Sequence, residues 1–432
     1  MKHRVSMKKK KLYDVVKMLV ITVATATVVS GIFQLEPKII PLLILLFFPQ
    51  VTWIFRQYDK KSSQDKRFEL CMDYLQQMIF SFEKTKELTI SLKETKELYG
   101  EDEMGRCLNE ALDYLEATYS GNSKAAALKI IEERFPCRLV KTVHHFLLEA
   151  ESTGGRTEAA LDILKTELQR YRTRIKLFQT KCQKTRINII VAVVAGMLLS
   201  ASLLYLTPDA GSLVSFPIYQ IGTVVMCVIS LGILCGAFYI TCKDWLKEKE
   251  TYSQKELEEK LLKYLNKDQK VGRKTLKKIL QRQINRSYPD WILQLTLLLQ
   301  NRDVAGAIEE SIRDADVVLK YYLKNLAEGI HDYPDSPAPF LKFLEEFKTP
   351  ETENAMKMIY AISTGSCVDA DKQLVWLYDR TQVQQEQAAE MDQENQSAGM
   401  YALFLAPTLV TSLKLILDLS VLLVSFMGQL GM

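Results

Sequence analysis

Chemistry-bearing motifs are scarce in this chain. The phosphate-wrapping loop G-x-x-x-x-G-K-[ST] does not occur, and Gly272-Arg273-Lys274-Thr275 lacks the earlier partner glycine. H-E-x-x-H and G-x-S-x-G are missing as well, which removes two familiar hydrolase signatures. Histidine is rare, with only His3, His144, His145 and His331. The consecutive pair points about 100° apart on a helix, so it cannot chelate one metal as an i, i+4 pair would. These residues are expected at the surface or as hydrogen-bonded core histidines. None of the eight cysteines forms a Cys-x-x-Cys pair, and reduced structural thiols are expected. A net charge of +4 is small for 432 residues and argues against a nucleic-acid partner. Glycine is sparse and strand-like alternation scarce, so a sheet fold is not expected. No catalytic, cofactor-binding or metal-ligating residue is expected, and the chain reads as a non-enzyme.

The apolar residues pool in five blocks: Val15–Phe33, Ile39–Phe55, Ile187–Leu206, Phe216–Thr241 and Ala398–Met427. A bilayer core needs about 20 apolar residues in helix. The last three blocks meet this plainly. The first two are shorter and fit a helical hairpin turning at Gln34–Lys38. A basic start and Ala24-Thr25-Ala26 imitate a signal peptide, but the apolar run continues past that site, so a retained anchor is expected. Lysine and arginine flank the first span on its N-terminal side and the second on its C-terminal side. They also precede the third and follow the fourth, while the loop between spans three and four has none. The positive-inside rule then places the N-terminus and both charged regions in the cytoplasm and the C-terminus outside.

The charged regions carry a repeated signature. Ser152-Thr153-Gly154 and Ser363-Thr364-Gly365 stand the same distance ahead of Ile187 and Ala398, where apolar blocks begin. Leu92-Lys93-Glu94-Thr95 matches Ile308-Glu309-Glu310-Ser311 upstream, and Phe135-Pro136 matches Thr349-Pro350, each proline expected in the first turn of a helix. Each signature glycine is expected to end its helix in a left-handed cap. Thr157–Arg186 and Val368–Gln396 then run without proline or glycine, each enough for roughly 45 Å of helix. The implied organisation is a cytoplasmic tail and transmembrane hairpin over 1–56 and a helical domain over 57–186. Spans three and four cover 187–241, a second helical domain 242–397, and a last span 398–432. The fold class is all-α: a polytopic membrane protein with two cytoplasmic antiparallel helical bundles and about five transmembrane helices.

The first signature, Glu151-Ser152-Thr153-Gly154-Gly155 with Ala160-Leu161 and Leu164 after it, resembles the acidic–small–glycine element of the type II secretion F-domain family. These are the inner-membrane platform proteins of type II secretion systems and type IV pili, and the likeness is greatest to the Tad-type pilus platforms. The second copy, with Leu374 and Leu377, has Ile362 where the acid would be. The family often has glycine between the first two helices, whereas this chain has Glu83-Lys84-Thr85-Lys86 and Asn301-Arg302-Asp303. The resemblance implies a duplicated F-type domain in a bacterial inner membrane. Its implied partners are a cytosolic secretion ATPase, pilin or pseudopilin subunits and the lipid membrane, with a homo-oligomer or a second platform protein also allowed. The alternatives are a membrane-anchored helical adaptor or signalling protein, and behind that a transporter, which needs polar residues converging from several spans.

Further candidates lie outside the signatures. Lys414 and Asp418 stand four residues apart within the fifth block, as a structural pair or as a polar contact that locks the span or recognises a pilin helix. Ala192 with Gly196 and Gly232 with Gly236 would allow close helix approach. The lysine-rich stretch Lys260–Arg286 reads either as an amphipathic helix on the inner leaflet or as a solvated face of the bundle.

Overall fold

In the computed structural model the described residues are 2–118, 123–154, 157–206, 210–242, 246, 252–266, 272–300, 302–365 and 370–429, and among them there is no strand. The helices are α1 (Lys2–Ile32), α2 (Ile40–Thr85), α3 (Leu88–Glu97), α4 (Glu103–Ala117), α5 (Ser123–Arg134), α6 (Arg138–Thr153), α7 (Glu158–Leu206) and α8 (Ala210–Ser215). They continue with α9 (Pro217–Thr241), α10 (Gln254–Leu265), α11 (Arg273–Leu298), α12 (Val304–Ser311), α13 (Val317–Asp332), α14 (Ala338–Lys342), α15 (Pro350–Ser363) and α16 (Ala370–Gln429).

Local chemistry sets several boundaries. Asp102 caps α4 by accepting from the Gly105 N–H at 2.7 Å. Ser253 and Glu256 form a capping box on α10, as do Thr349 and Thr352 on α15, where Pro350 takes the first position. Pro136 does not match it: α6 begins at Arg138 with Cys137 as its N-cap, so this proline lies just outside the helix rather than in its first turn. Without an N–H, Pro136 cannot donate to the carbonyl four residues earlier and so cannot continue α5, and its placement separates α5 from α6.

The chain divides into two compact units. The first comprises residues 1–66, 174–244 and 394–432 and holds the apolar helices. Among the described residues five helices are long and apolar enough to cross a membrane, their spans lying in Tyr13–Ile32, Pro37–Thr85, Glu158–Leu206, Pro217–Thr241 and Tyr401–Met427. Its core joins Ala26 and Phe33 of the first helical hairpin with Leu43, Phe47, Leu204, Tyr219, Cys227 and Val421. Leu405, Leu409, Leu413, Ile416 and Leu423 are more than half exposed on α16, an apolar exterior suited to lipid rather than water. The hairpin turn uses Gln34 at φ 49°, and the Glu36 N–H donates to Gln220 of α9 at 3.1 Å.

The second unit comprises residues 67–173 and 245–393 and contains most of both charged regions, with 57–66 and 174–186 falling in the first unit. In its first half Phe68, Met72, Leu75, Met78 and Phe82 of α2 are buried, as are Leu92, Leu108, Ile131, Val143 and Leu147, and α2 meets α3 and α6 through Met78–Thr95 and Tyr74–His144. The core of the other half surrounds Trp291 and joins Leu280, Ile284, Leu295, Ile308, Leu319, Leu323, Phe347, Met356 and Ile359. The lysine-rich stretch is two helices, not one. Leu280 and Ile284 are buried, with Leu276 packed beside them, so the apolar side of α11 is occupied by this core, and Lys263, Lys274, Lys277 and Lys278 are exposed, while Lys267 and Lys270 lie outside the described residues.

Candidate functional site

The two signature turns share a backbone. Gly154 caps α6 at φ 63°, and its N–H reaches the Ala150 carbonyl at 3.0 Å. Gly365 stands at φ 66° one residue beyond the Thr364 cap of α15, with its N–H on the Ile362 carbonyl at 3.1 Å. This left-handed region strains a residue with a Cβ, which is why glycine serves at both places. The hydroxyls turn back onto their own helices. Ser152 and Thr153 both donate to the Glu149 carbonyl at 2.8 Å, and Ser363 donates to Tyr360 at 2.7 Å. Thr364 does likewise at 3.3 Å. These groups end helices rather than present a nucleophile. Gly155 lies outside the described residues.

Glu151 has a specific task. One carboxylate oxygen accepts the Leu88 N–H at 2.9 Å, and the other meets the Lys124 ammonium at 2.9 Å. Leu88 is the first residue of α3, and the N-cap Glu87 supplies no side-chain bond. Glu151 therefore caps α3 from across the bundle, placing negative charge at a helix N-terminus. Beside it, Lys86 adopts φ 54° and reaches Thr157 at 2.7 Å. A lysine thus takes the conformation a glycine would hold more easily in the turn between α2 and α3. In the other half, α12 begins at the matching position, and Ile362 packs against the apolar core instead of capping it.

The helices after the two turns are clasped. Tyr378 on α16 donates to the Glu167 carboxylate on α7, and both side chains are about 2% exposed. Arg170 lies over the Tyr378 ring at 5.7 Å and pairs with Asp379 at 3.0 Å. Burial, then the Glu167 charge, push the Tyr378 hydroxyl well up, so it stays a donor at neutral pH. Ala160, Leu161 and Leu164 of α7 are fully buried, and Leu377 joins the second core, while the side chain of Leu374 is outside the described set. A polar seam also joins the halves: Arg138 with Asp290, Glu149 with Arg302 at 2.6 Å, and His145 with Asp314 at 3.4 Å.

His144 is a satisfied core residue. It is fully buried, with Nε2 at 2.7 Å from the Tyr74 hydroxyl and Nδ1 at 3.0 Å from Glu132. With Tyr74 donating to Nε2 and Nδ1–H donating to Glu132, every atom is satisfied by a neutral ring. Burial lowers its pKa against the opposing pull of Glu132, which keeps the ring neutral.

In the first unit, Lys414 and Asp418 pair within α16, 4% and 1% exposed. The ammonium lies 4.0 Å from the centroid of the Tyr219 ring, whose hydroxyl donates to the Phe33 carbonyl at 3.1 Å. The pair thus faces other helices of its own chain. Gly222 admits Leu417, and Gly196 lies so close to Thr411 that a Cβ would meet its hydroxyl at 2.3 Å. Of the small-residue pairs, Gly196 and Gly236 face α16 and Gly232 faces open space.

Glu167 and Tyr378 carry no sequence signal, and Lys86, Lys61 and Arg186 read only as a turn residue and as positive-inside charges. Only their chemical types were visible, and each partner lies far along the chain. Comparison with protein families, with curated proteins and with solved structures finds no match for this chain.

Proposed function

We propose that the chain is the inner-membrane platform of a type II secretion or Tad-like pilus machine. In this reading the charged unit lies in the cytoplasm and receives a secretion ATPase. The apolar helices contact pilin or pseudopilin subunits, and ATP is hydrolysed on the other chain. The observation that supports it best is the pair of glycine-capped Ser-Thr-Gly turns, each leading into a long helix that contains a candidate span, α7 and α16. The Glu167–Tyr378 clasp adds a physical route: two helices tied by a buried hydrogen bond transmit displacement together. Motion of the cytoplasmic unit would then help lift a pilin from the bilayer.

The test is genetic. Deleting the gene should abolish a surface filament or the export of its substrate, and the wild-type chain supplied in trans should restore it. Unchanged filaments and secretion in the deletion strain would favour the adaptor reading instead.

A further inference from the structure

Two buried cations lie together in the apolar unit, and among the described residues around them only Asp65 carries an opposite charge. Lys61 follows the apolar part of α2 and Arg186 immediately precedes that of α7. Their relative exposures are 7% and 9%. They are electrostatic neighbours of one another, with Asp65, Cys182 and Cys242 completing the surroundings of Lys61. The environment of Cys242 adds Lys60 on the same side. Asp65 is the one carboxylate in the group among the described residues, and its Oδ1 already accepts from Gln179 at 3.1 Å. Three basic groups therefore face one acid.

The guanidinium of Arg186 stands 5.3 Å from the centroid of the Phe238 ring, a contact that fills space without neutralising charge. Its Nε is buried with no hydrogen-bond partner, and among the described residues neither Lys61 nor Arg186 forms an ion pair. Burying two like charges side by side, with the Arg186 Nε lacking any hydrogen bond, is unfavourable, and a bound anion offsets that cost. A guanidinium accepts two phosphate oxygens in parallel, and an adjacent ammonium adds a point charge. Basic pockets between membrane helices are suited to lipid head groups.

We propose that Lys61 and Arg186 form a binding site for the phosphate of an anionic phospholipid headgroup. The ligand class follows from position as well as charge. Both residues adjoin apolar segments, so a phosphate at this level belongs to a molecule whose acyl chains lie along the exposed apolar faces of the same unit. The inference rests on reading these helices as membrane spans and does not require the ATPase or the pilin. The bound lipid would hold α2, α7 and α9 together at one edge of the unit.

The experiment uses the full chain in an uncharged detergent, with native mass spectrometry after adding phosphatidylglycerol, phosphatidylcholine or inorganic phosphate. Wild type should retain phosphatidylglycerol over phosphatidylcholine, and Lys61→Gln with Arg186→Gln should lower that preference roughly tenfold. Arg186→Lys keeps the charge, guards against a folding defect, and should give an intermediate preference because the parallel contact is lost. Replacing the exposed Lys181 and Lys184 by glutamine should leave the preference intact, separating a site from general positive charge. Equal retention of both lipids would overturn the proposal, as would an undiminished preference in the double variant. Displacement of phosphatidylglycerol by inorganic phosphate would assign the site to the free anion and overturn the lipid.

Discussion

In the first half of the charged unit, the turn after α6 is held by charge: Glu151 caps α3 and pairs with Lys124. In the second half, the turn after α15 is held by apolar packing, with Ile362 laid on the core around Trp291. The backbone is the same in both, a helix followed by a glycine at φ near 65°. A second difference follows the chain into the apolar unit. The part of α7 there presents Gly196 to a neighbour, whereas α16 carries a buried lysine and aspartate. The difference teaches that the left-handed turn is the common requirement, while the means of holding it is free to change.

The largest effect is expected where charge is most deeply buried. Lys414→Leu strands Asp418 and should cost about 3–5 kcal/mol of stability, whereas changing both residues to leucine should come near neutral. Thermal unfolding in detergent measures this, and equal losses from the single and double variants would remove the pair's standing as a mutual partner. If the pair only locks helices within the chain, the double-leucine variant should still assemble filaments. Loss of filaments from a stable double variant would instead point to recognition of a pilin helix.

The contrast between the turns comes next. Glu151→Ala leaves the buried Leu88 N–H unpartnered and should cost about 1–2 kcal/mol, a lost cap. Glu151→Gln keeps an acceptor and should lose less. Ile362→Ala removes a partly buried side chain and should cost about 1 kcal/mol, insensitive to salt. If the alanine variants at 151 and 362 respond alike to ionic strength, the distinction between a charged and an apolar turn fails.

Acid should also separate the halves. The folded-state pKa of His144 lies below its ordinary value of 6.5, so the unfolded chain binds the extra proton first. The associated stability is fully present above the unfolded value and is lost as pH falls through the folded one. His144→Phe should reduce that acid sensitivity, read as the change in unfolding temperature between pH 7 and pH 5. The smallest effect belongs to the seam. Glu149 and Arg302 are partly exposed, and Arg302→Ala should cost about 0–1 kcal/mol and vanish at high salt.

The apolar blocks and the glycine caps were legible in the sequence because each depends on composition or on neighbours within a turn, whereas the sequence leaves the choice between surface and core open for His144. The start of α6 was not, because Pro136 can stand either inside a first turn or just before a cap. The task of Glu151 was hidden because its partner Leu88 lies on another helix. The Glu167–Tyr378 clasp joins residues still farther apart, and no periodicity within either helix marks them. Lys86 was misleading by type, since a lysine at positive φ leaves no trace in composition. Lys61 and Arg186 read as ordinary positive-inside residues, and only burial sets them apart from their exposed neighbours.

The central claim is that this chain is the membrane partner of a secretion ATPase. The most direct measurement is purification of the full chain from native membranes, with its partners identified by mass spectrometry. The account predicts a hexameric secretion ATPase and short prepilin-like chains in stoichiometric amounts. Recovery of the intact chain with neither of them would contradict it.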